Sequence, residues 1–106
     1  MTARSQVPPT IRRGEVITVR LLIQHPMETG YRRDDTGDVI ARNTIRTVRC
    51  LLAGREVFRA DLSSGISANP YLQFPLRAEQ SGVLEFSWID DAEVQETHTQ
   101  VLTVID

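Results

Sequence analysis

Lysine is absent from this sequence, cysteine occurs once, and no apolar stretch is long. Each shortage excludes something. With a single thiol, Cys50, no internal disulfide can form, so stability must come from packing, and cysteine usage leaves the redox compartment open. No run approaches the ~20 apolar residues that span a bilayer as a helix. The N-terminal Met1-Thr2-Ala3-Arg4-Ser5-Gln6-Val7-Pro8-Pro9 lacks the apolar segment of a secretory leader. By itself, then, the chain reads as cytoplasmic. Arg12-Arg13 has the look of a twin-arginine signal, yet Gly14 and Glu15 follow where the apolar segment should stand, and Ile17 to Ile23 alternates like a strand.

Charge of one sign is also missing. With 12 basic and 14 acidic side chains the net charge is −2, too small a field to recruit nucleic acid or an anionic membrane. That every basic residue is arginine reflects genomic base composition or a preference for planar, bidentate contacts at interfaces. At 106 residues one hydrophobic core is the working assumption, because a second would leave each half too small. A core of this size leaves little reserve, which an obligate partner would supply.

Period two dominates what is there. Ile17, Val19, Leu21 and Ile23 alternate with Thr18, Arg20 and Gln24, predicting a strand with one buried face over Glu15 to Gln24. Ile45 to Leu52 repeats the pattern, with Val48, Cys50 and Leu52 facing in and Thr47 and Arg49 facing out. Ala53-Gly54 is a tight turn, after which Phe58, Ala60 and Leu62 share one face and Val57, Arg59 and Asp61 the other, completing a hairpin. Pro70 opens a strand with Leu72, Phe74 and Leu76 inward, and Pro75 makes it an edge strand. After Ser81-Gly82, Leu84, Phe86 and Trp88 form the most aromatic strand and the centre of the core, where the Trp88 indole N–H needs a partner. Asp90-Asp91-Ala92 turns the chain into Glu93 to Ile105, a long final strand or two short ones. No helical period is found. The prediction is an all-β, antiparallel immunoglobulin-like β-sandwich of about seven strands, without the cysteine pair of antibody domains.

His25 to Thr44 departs from this pattern: it is polar, holds Gly30 and Gly37, and runs longer than loops in compact domains usually do. Such loops are commonly functional, and Asp35-Thr36-Gly37-Asp38 is placed to close a small hairpin within it. Its Tyr31, Arg32 and Arg33 are of the types that dominate binding energy, and they are the candidate partner-binding residues.

Templates for catalysis fail one after another. His25 and His98 lack ligand spacing for zinc; His25 is read as ending the first long strand and anchoring the loop, His98 as lying on an exposed face. Cys50 sits on the apolar parity, a setting that raises a thiol's pKa and shields it. Asp90, Asp91, Glu93 and Glu96 lack the ligand order of a calcium loop and read as a solvated turn. Arg32-Arg33 and Asp34-Asp35 bring mixed charges but no nucleophile, and Ser63-Ser64-Gly65 lacks the flanking glycine of a nucleophile elbow. No cofactor and no metal site are expected. Cys50, Phe74, Phe86 and Trp88 are assigned to the structural core.

The less repetitive residues point further. Gln24-His25-Pro26-Met27-Glu28-Thr29-Gly30-Tyr31-Arg32, Asp34 to Gly37 with Ile40, Asn69-Pro70-Tyr71-Leu72-Gln73-Phe74 and Phe86-Ser87-Trp88-Ile89-Asp90, with Gly14-Glu15 and Cys50 to Gly54, resemble the SoxZ family over nearly the whole chain. The resemblance implies a single immunoglobulin-like domain over 1–106. It also implies tight association with SoxY, whose flexible Gly-Gly-Cys-Gly-Gly arm carries sulfur intermediates in thiosulfate oxidation, and transient contacts with Sox enzymes. This sequence ends in Val104-Ile105-Asp106 with no such arm, so it is similar to the partner half, a subunit that performs no chemistry. The family works in the periplasm, its leaderless subunit being carried by the partner's twin-arginine leader. Where the family commonly has proline after the isoleucine of the long loop, Ala41 follows Ile40 here. SoxZ-like domains also occur in carriers associated with quinoprotein dehydrogenases; a free-standing chain favours the thiosulfate system. The alternatives are a metal-dependent redox enzyme on an immunoglobulin-like scaffold, using His25, His98, Cys50 and an acidic residue, and, least favoured, a carbohydrate-binding sandwich, which would expose aromatics.

Overall fold

A computed structural model describes residues 3–63 and 65–106. Met1 and Thr2, and Ser64 in the middle of the Ser63-Ser64-Gly65 segment, lie outside the described residues. Among the described residues nine strands follow in order: β1 (Ala3–Gln6), β2 (Ile11–Arg12), β3 (Val16–Ile23), β4 (Ile45–Leu52), β5 (Arg55–Asp61), β6 (Tyr71–Arg77), β7 (Gly82–Asp90), β8 (Gln95–Leu102) and β9 (Val104–Ile105). They form a three-stranded sheet in the order β1-β3-β6 and a four-stranded sheet in the order β5-β4-β7-β8; β2 and β9 add a two-stranded parallel ribbon. The all-β, immunoglobulin-like sandwich expected from the alternation is what the chain adopts.

The alternation works because a strand throws successive side chains to opposite faces. In β3, Ile17, Val19, Leu21 and Ile23 are buried while Val16, Thr18 and Arg20 are exposed. Its register with β6 sets Ile17 opposite Leu76 and Val19 opposite Phe74, so both strands bury the same side. Sheet two answers with Val48, Cys50 and Leu52 on β4 opposite Trp88, Phe86 and Leu84 on β7. Cys50, Phe74, Phe86 and Trp88 all lie in the buried cluster. The rings of Phe58 and Phe74 stack across the gap between the sheets, centroids 4.1 Å apart and tilted by 4°. Pro75 sits in β6 at the edge of its sheet, where a missing N–H breaks no ladder.

The Ala53-Gly54 turn forms with both residues at positive φ, 51° and 81°, the geometry of a two-residue hairpin whose twist matches its strands. Alternation in β5 is then interrupted. A bulge opposite Cys50 and Leu51 pairs Phe58 with Cys50 and Glu56 with Leu51, leaving Val57 as the extra residue. Val57 therefore packs against the core beside Phe58 and Leu62, contrary to the outward face its parity implies.

His98 also differs from expectation. It is half-buried on the inner face of β8, its ring 6.0 Å from that of Phe86 and its Nε2 2.9 Å from Ser5 Oγ. Because Ser5 donates its own hydroxyl to Gln100 Oε1 at 2.7 Å, the imidazole N–H donates to Ser5 Oγ. These bonds close the seam between β1 and β8. The Trp88 indole N–H donates no hydrogen bond among the described residues; its nitrogen is not fully buried, since no fully buried side-chain nitrogen or oxygen there lacks a partner.

Candidate functional site

The long polar segment is a hairpin arm set on a polar clamp. Its first rung joins Glu28 and Asn43 by reciprocal backbone bonds of 2.9 Å, and a second pairs Arg33 with Val39. Ile40 N–H donates to Arg32 C=O at 2.8 Å and Asp34 N–H to Asp38 C=O at 2.9 Å. The tip is closed by Asp34, whose Oδ1 accepts from the Thr36 hydroxyl at 2.7 Å and from the Thr36 and Asp38 amides at 3.0 Å. Those bonds, the Thr36 side chain first, hold the Asp34 carboxyl below its ordinary value. Gly30 is required near the base: its φ is +92°, and a Cβ there would come within 3.2 Å of Arg42 Cβ.

The clamp is made where β3, β4 and β7 end. His25 and Asn69 grip each other, His25 N–H donating to Asn69 Oδ1 at 3.0 Å and Asn69 N–H to His25 C=O at 2.8 Å. His25 Nδ1 accepts from Met27 N–H at 2.9 Å, so the ring proton resides on Nε2 and is donated to Asp90 Oδ2 at 3.1 Å. Met27, at φ 50°, then turns its side chain into the core, where Ile45 N–H approaches Sδ at 3.3 Å. Asp90 accepts further bonds from Asn43 Nδ2 (3.3 Å), Ala92 N–H (3.0 Å) and Val94 N–H (3.0 Å). Burial of Asp90 pushes its pKa up, but the bonds from Val94, His25 and Asn43 outweigh this and hold it below the ordinary value. Asp91 accepts the Thr44 amide and hydroxyl, both at 2.9 Å, with Arg42 and Arg46 nearby; the Thr44 bonds lead in lowering its pKa.

The Asp90-Asp91 run is thus no solvated turn. Asp90 is 6% exposed and both carboxylates tie the base of the arm to the sandwich. His25 does anchor the loop, as expected. Sequence reading missed Met27, Asn43, Thr44 and Asn69, whose partners lie up to 47 residues away. The one local signal was an aspartate at a strand end, placed to bond amides two and four residues on.

Tyr31, Arg32 and Arg33 follow one another between the arm's first rung and its tip and are engaged differently. Tyr31 is 90% exposed, and no hydrogen bond holds it among the described residues. Arg32 forms a two-pronged pair with Glu28, and Arg33 donates to Gly37 C=O at 2.8 Å. The arm therefore presents a free aromatic ring on a stiff ribbon.

The side chains that a redox metal would need are kept apart. Cys50 and His98 flank Phe86 on opposite neighbouring strands, about 10 Å apart at ordinary strand spacing. His25 bonds to Asp90, four residues from Phe86 along β7, or roughly 13 Å at strand rise. No group of three or more His, Cys, Asp or Glu side chains able to hold a metal occurs among the described residues. Burial raises the Cys50 thiol to about 12.

The model of the sulphur oxidation protein SoxZ family matches residues 5–101. The chain belongs to the SoxZ family. As a SoxZ-family member it is a subunit of a Sox sulfur-carrier complex. No curated protein matches it significantly. Among solved structures, this SoxZ chain is similar to a superoxide reductase (neelaredoxin) from Ignicoccus hospitalis, with TM-score 0.75, 18% identity, and coverage of 99% of this chain and 81% of that one. It is similar to a putative superoxide reductase from Thermotoga maritima, with TM-score 0.76, 14% identity, and coverage of 98% and 86%. It is also similar to the sulfur carrier protein SoxY from Chlorobium limicola f thiosulfatophilum, with TM-score 0.68, 9% identity, and coverage of 99% and 80%. At these identities the likeness is one of fold. The redox-enzyme alternative is not favoured, since its three side chains are held apart.

Proposed function

We propose that this SoxZ-family chain, as one domain over 1–106, is the non-catalytic half of a periplasmic heterodimer with a SoxY-like Cys-arm protein. Its partner would carry the intermediates of thiosulfate oxidation, and the pair would dock transiently on Sox enzymes. The observation that carries this reading is the burial of Cys50, 0% exposed and facing Phe58 and Phe86 in the register of the sheet. A carrier thiol must enter the active sites of other proteins as a thiolate, and burial opposes both requirements. The arm bearing Tyr31, Arg32 and Arg33 is the element we assign to partner or enzyme recognition. A base already ordered by hydrogen bonds and an aromatic with few rotatable bonds keep the entropy lost on binding small.

The test is mass spectrometry of the reconstituted pair after loading with thiosulfate-derived intermediates. Adducts should be found only on the partner, and a Cys50→Ser pair should turn over normally. Adducts on native Cys50, or full activity of the partner alone, would overturn the assignment. Elemental analysis of purified protein separates it from the redox alternative, which requires near-stoichiometric metal.

A further inference from the structure

The outer face of the β1-β3-β6 sheet is not the mixed surface that the chain's near-even charge leads one to expect. Because Ile17, Val19, Leu21 and Ile23 point inward, Arg20 and Leu22 point outward, and on the flanking strands Arg4, Tyr71 and Arg77 do the same. Cross-strand register lines up Arg4, Leu22 and Tyr71 in one row and Gln6, Arg20 and Gln73 in the next. Arg4, Leu22, Tyr71 and Arg20 border a shallow groove of about 290 Å³. The outward positions of these strands include no carboxylate.

Of the nine arginines elsewhere, six have acidic partners within the chain, whereas Arg12, Arg33 and Arg55 have none among the described residues. On the outer face of the other sheet Arg49 pairs with Glu56 and Arg59 with Asp61; Arg13, Arg32, Arg42 and Arg46 also have acidic partners. Among the described residues Arg4 and Arg20 have none, and Arg77 reaches only the Gly14 carbonyl. The net charge of −2 leaves −5 for the rest of the chain once these three arginines are set aside. Three of the six arginines without an acidic partner are therefore gathered on this one face, while the rest of the chain is net acidic. Tyr71, 56% exposed, and Val16, 55% exposed, add apolar surface between them.

We infer that this face is a docking surface for a carboxylate-rich patch on a partner protein. Arginine forks match carboxylates bidentately, and an exposed tyrosine beside them supplies rigid apolar area. Strands about 4.8 Å apart and up to eight residues long give a face of roughly 350 Å², well below the ~800 Å² per partner of a standard stable interface. The contact is accordingly weak and steered by charge, with an association rate that falls as salt rises. The inference does not depend on which protein the partner is, and it stands apart from the carrier assignment above.

Isotope-labelled full chain titrated with a capped deca-glutamate peptide tests it, with a deca-lysine peptide and phosphatidylglycerol vesicles as comparisons. The glutamate peptide should shift amides of β1, β3 and β6 and spare β4 and β7, with the shifts fading as salt rises; the lysine peptide should leave this face unmoved. Arg4→Glu with Arg20→Glu should weaken peptide binding by roughly tenfold or more while thermal stability holds. Arg4→Gln with Arg20→Gln, which cannot repel, should fall between. Shifts absent, spread over both sheets, or unchanged in the reversed variant would overturn the inference. Vesicle binding without peptide binding would overturn it in favour of a lipid surface.

Discussion

Removing the Asp90 carboxylate should loosen the arm before it unfolds the sandwich. In Asp90→Ala, His25 Nε2–H, Asn43 Nδ2 and the amides of Ala92 and Val94 lose an acceptor. A hydrogen bond to a charged group contributes about 1.5–3 kcal/mol, but such contributions do not add. Ala92 N–H retains Asn43 Oδ1 at 3.1 Å, and the exposed turn lets water replace the bond to Val94. The His25 and Asn43 groups, held at the half-buried base, cannot be rehydrated as freely. We expect a loss of about 3 kcal/mol, or roughly 12–18 °C in melting temperature for a domain of this size. Amide exchange should accelerate most in 28–43, ahead of β4 and β7. The carboxylate also sets a pH dependence. Its folded pKa lies below the ordinary value, so its stabilisation is full above about pH 5 and is lost as pH falls through the folded value. Asp90→Asn should flatten that acid limb. A variant melting within 2 °C of the parent at neutral pH, with unchanged exchange in the arm, would refute the reasoning.

Cys50 in native protein should react slowly with a thiol reagent and quickly once denatured; equal, fast labelling in both states would place the thiol at the surface. Trp88→Ala should destabilise by about 3–5 kcal/mol, the scale for truncating a buried large aromatic, and an unchanged melting temperature would contradict its 4% exposure. Tyr31→Ala with Arg32→Ala should weaken association with a partner or processing enzyme at nearly unchanged melting temperature; normal affinity for all of them would remove the arm from recognition.

What could be read in the sequence was whatever is written in neighbouring residues. Ile17, Val19, Leu21 and Ile23 declare a strand because the signal lies within one segment, and the same holds for Leu84, Phe86 and Trp88. β1 escaped notice because Ala3-Arg4-Ser5-Gln6 buries only a small side chain and forms a strand by virtue of its pairing with β3. The β2–β9 ribbon has two residues on each side, too few for any period. Val57 was misread because a bulge shifts parity by one, and nothing in its own segment records that. The arm was visible as a polar excursion with a turn at Gly37, but its stiffness was not. That depends on Asp90 and Asp91 meeting residues more than 40 positions earlier, and carboxylates in a turn sequence ordinarily face water.

The seam that joins β1 to β8, together with the β2–β9 ribbon, has a kinetic consequence. Ser5 and His98 meet across a separation of 93 residues, and Ile11 pairs with Val104 across a similar span. Such high contact order makes closure late and slow, on the millisecond-to-second scale of β-sandwiches. On the ribosome the β1-β3-β6 sheet can assemble once residue 77 has emerged, but the edge of β7 and the inner side of β1 stay uncovered until β8 is released. During that interval β7 offers an open edge to any strand within reach, so premature crowding of nascent chains is the condition under which this fold should misassemble.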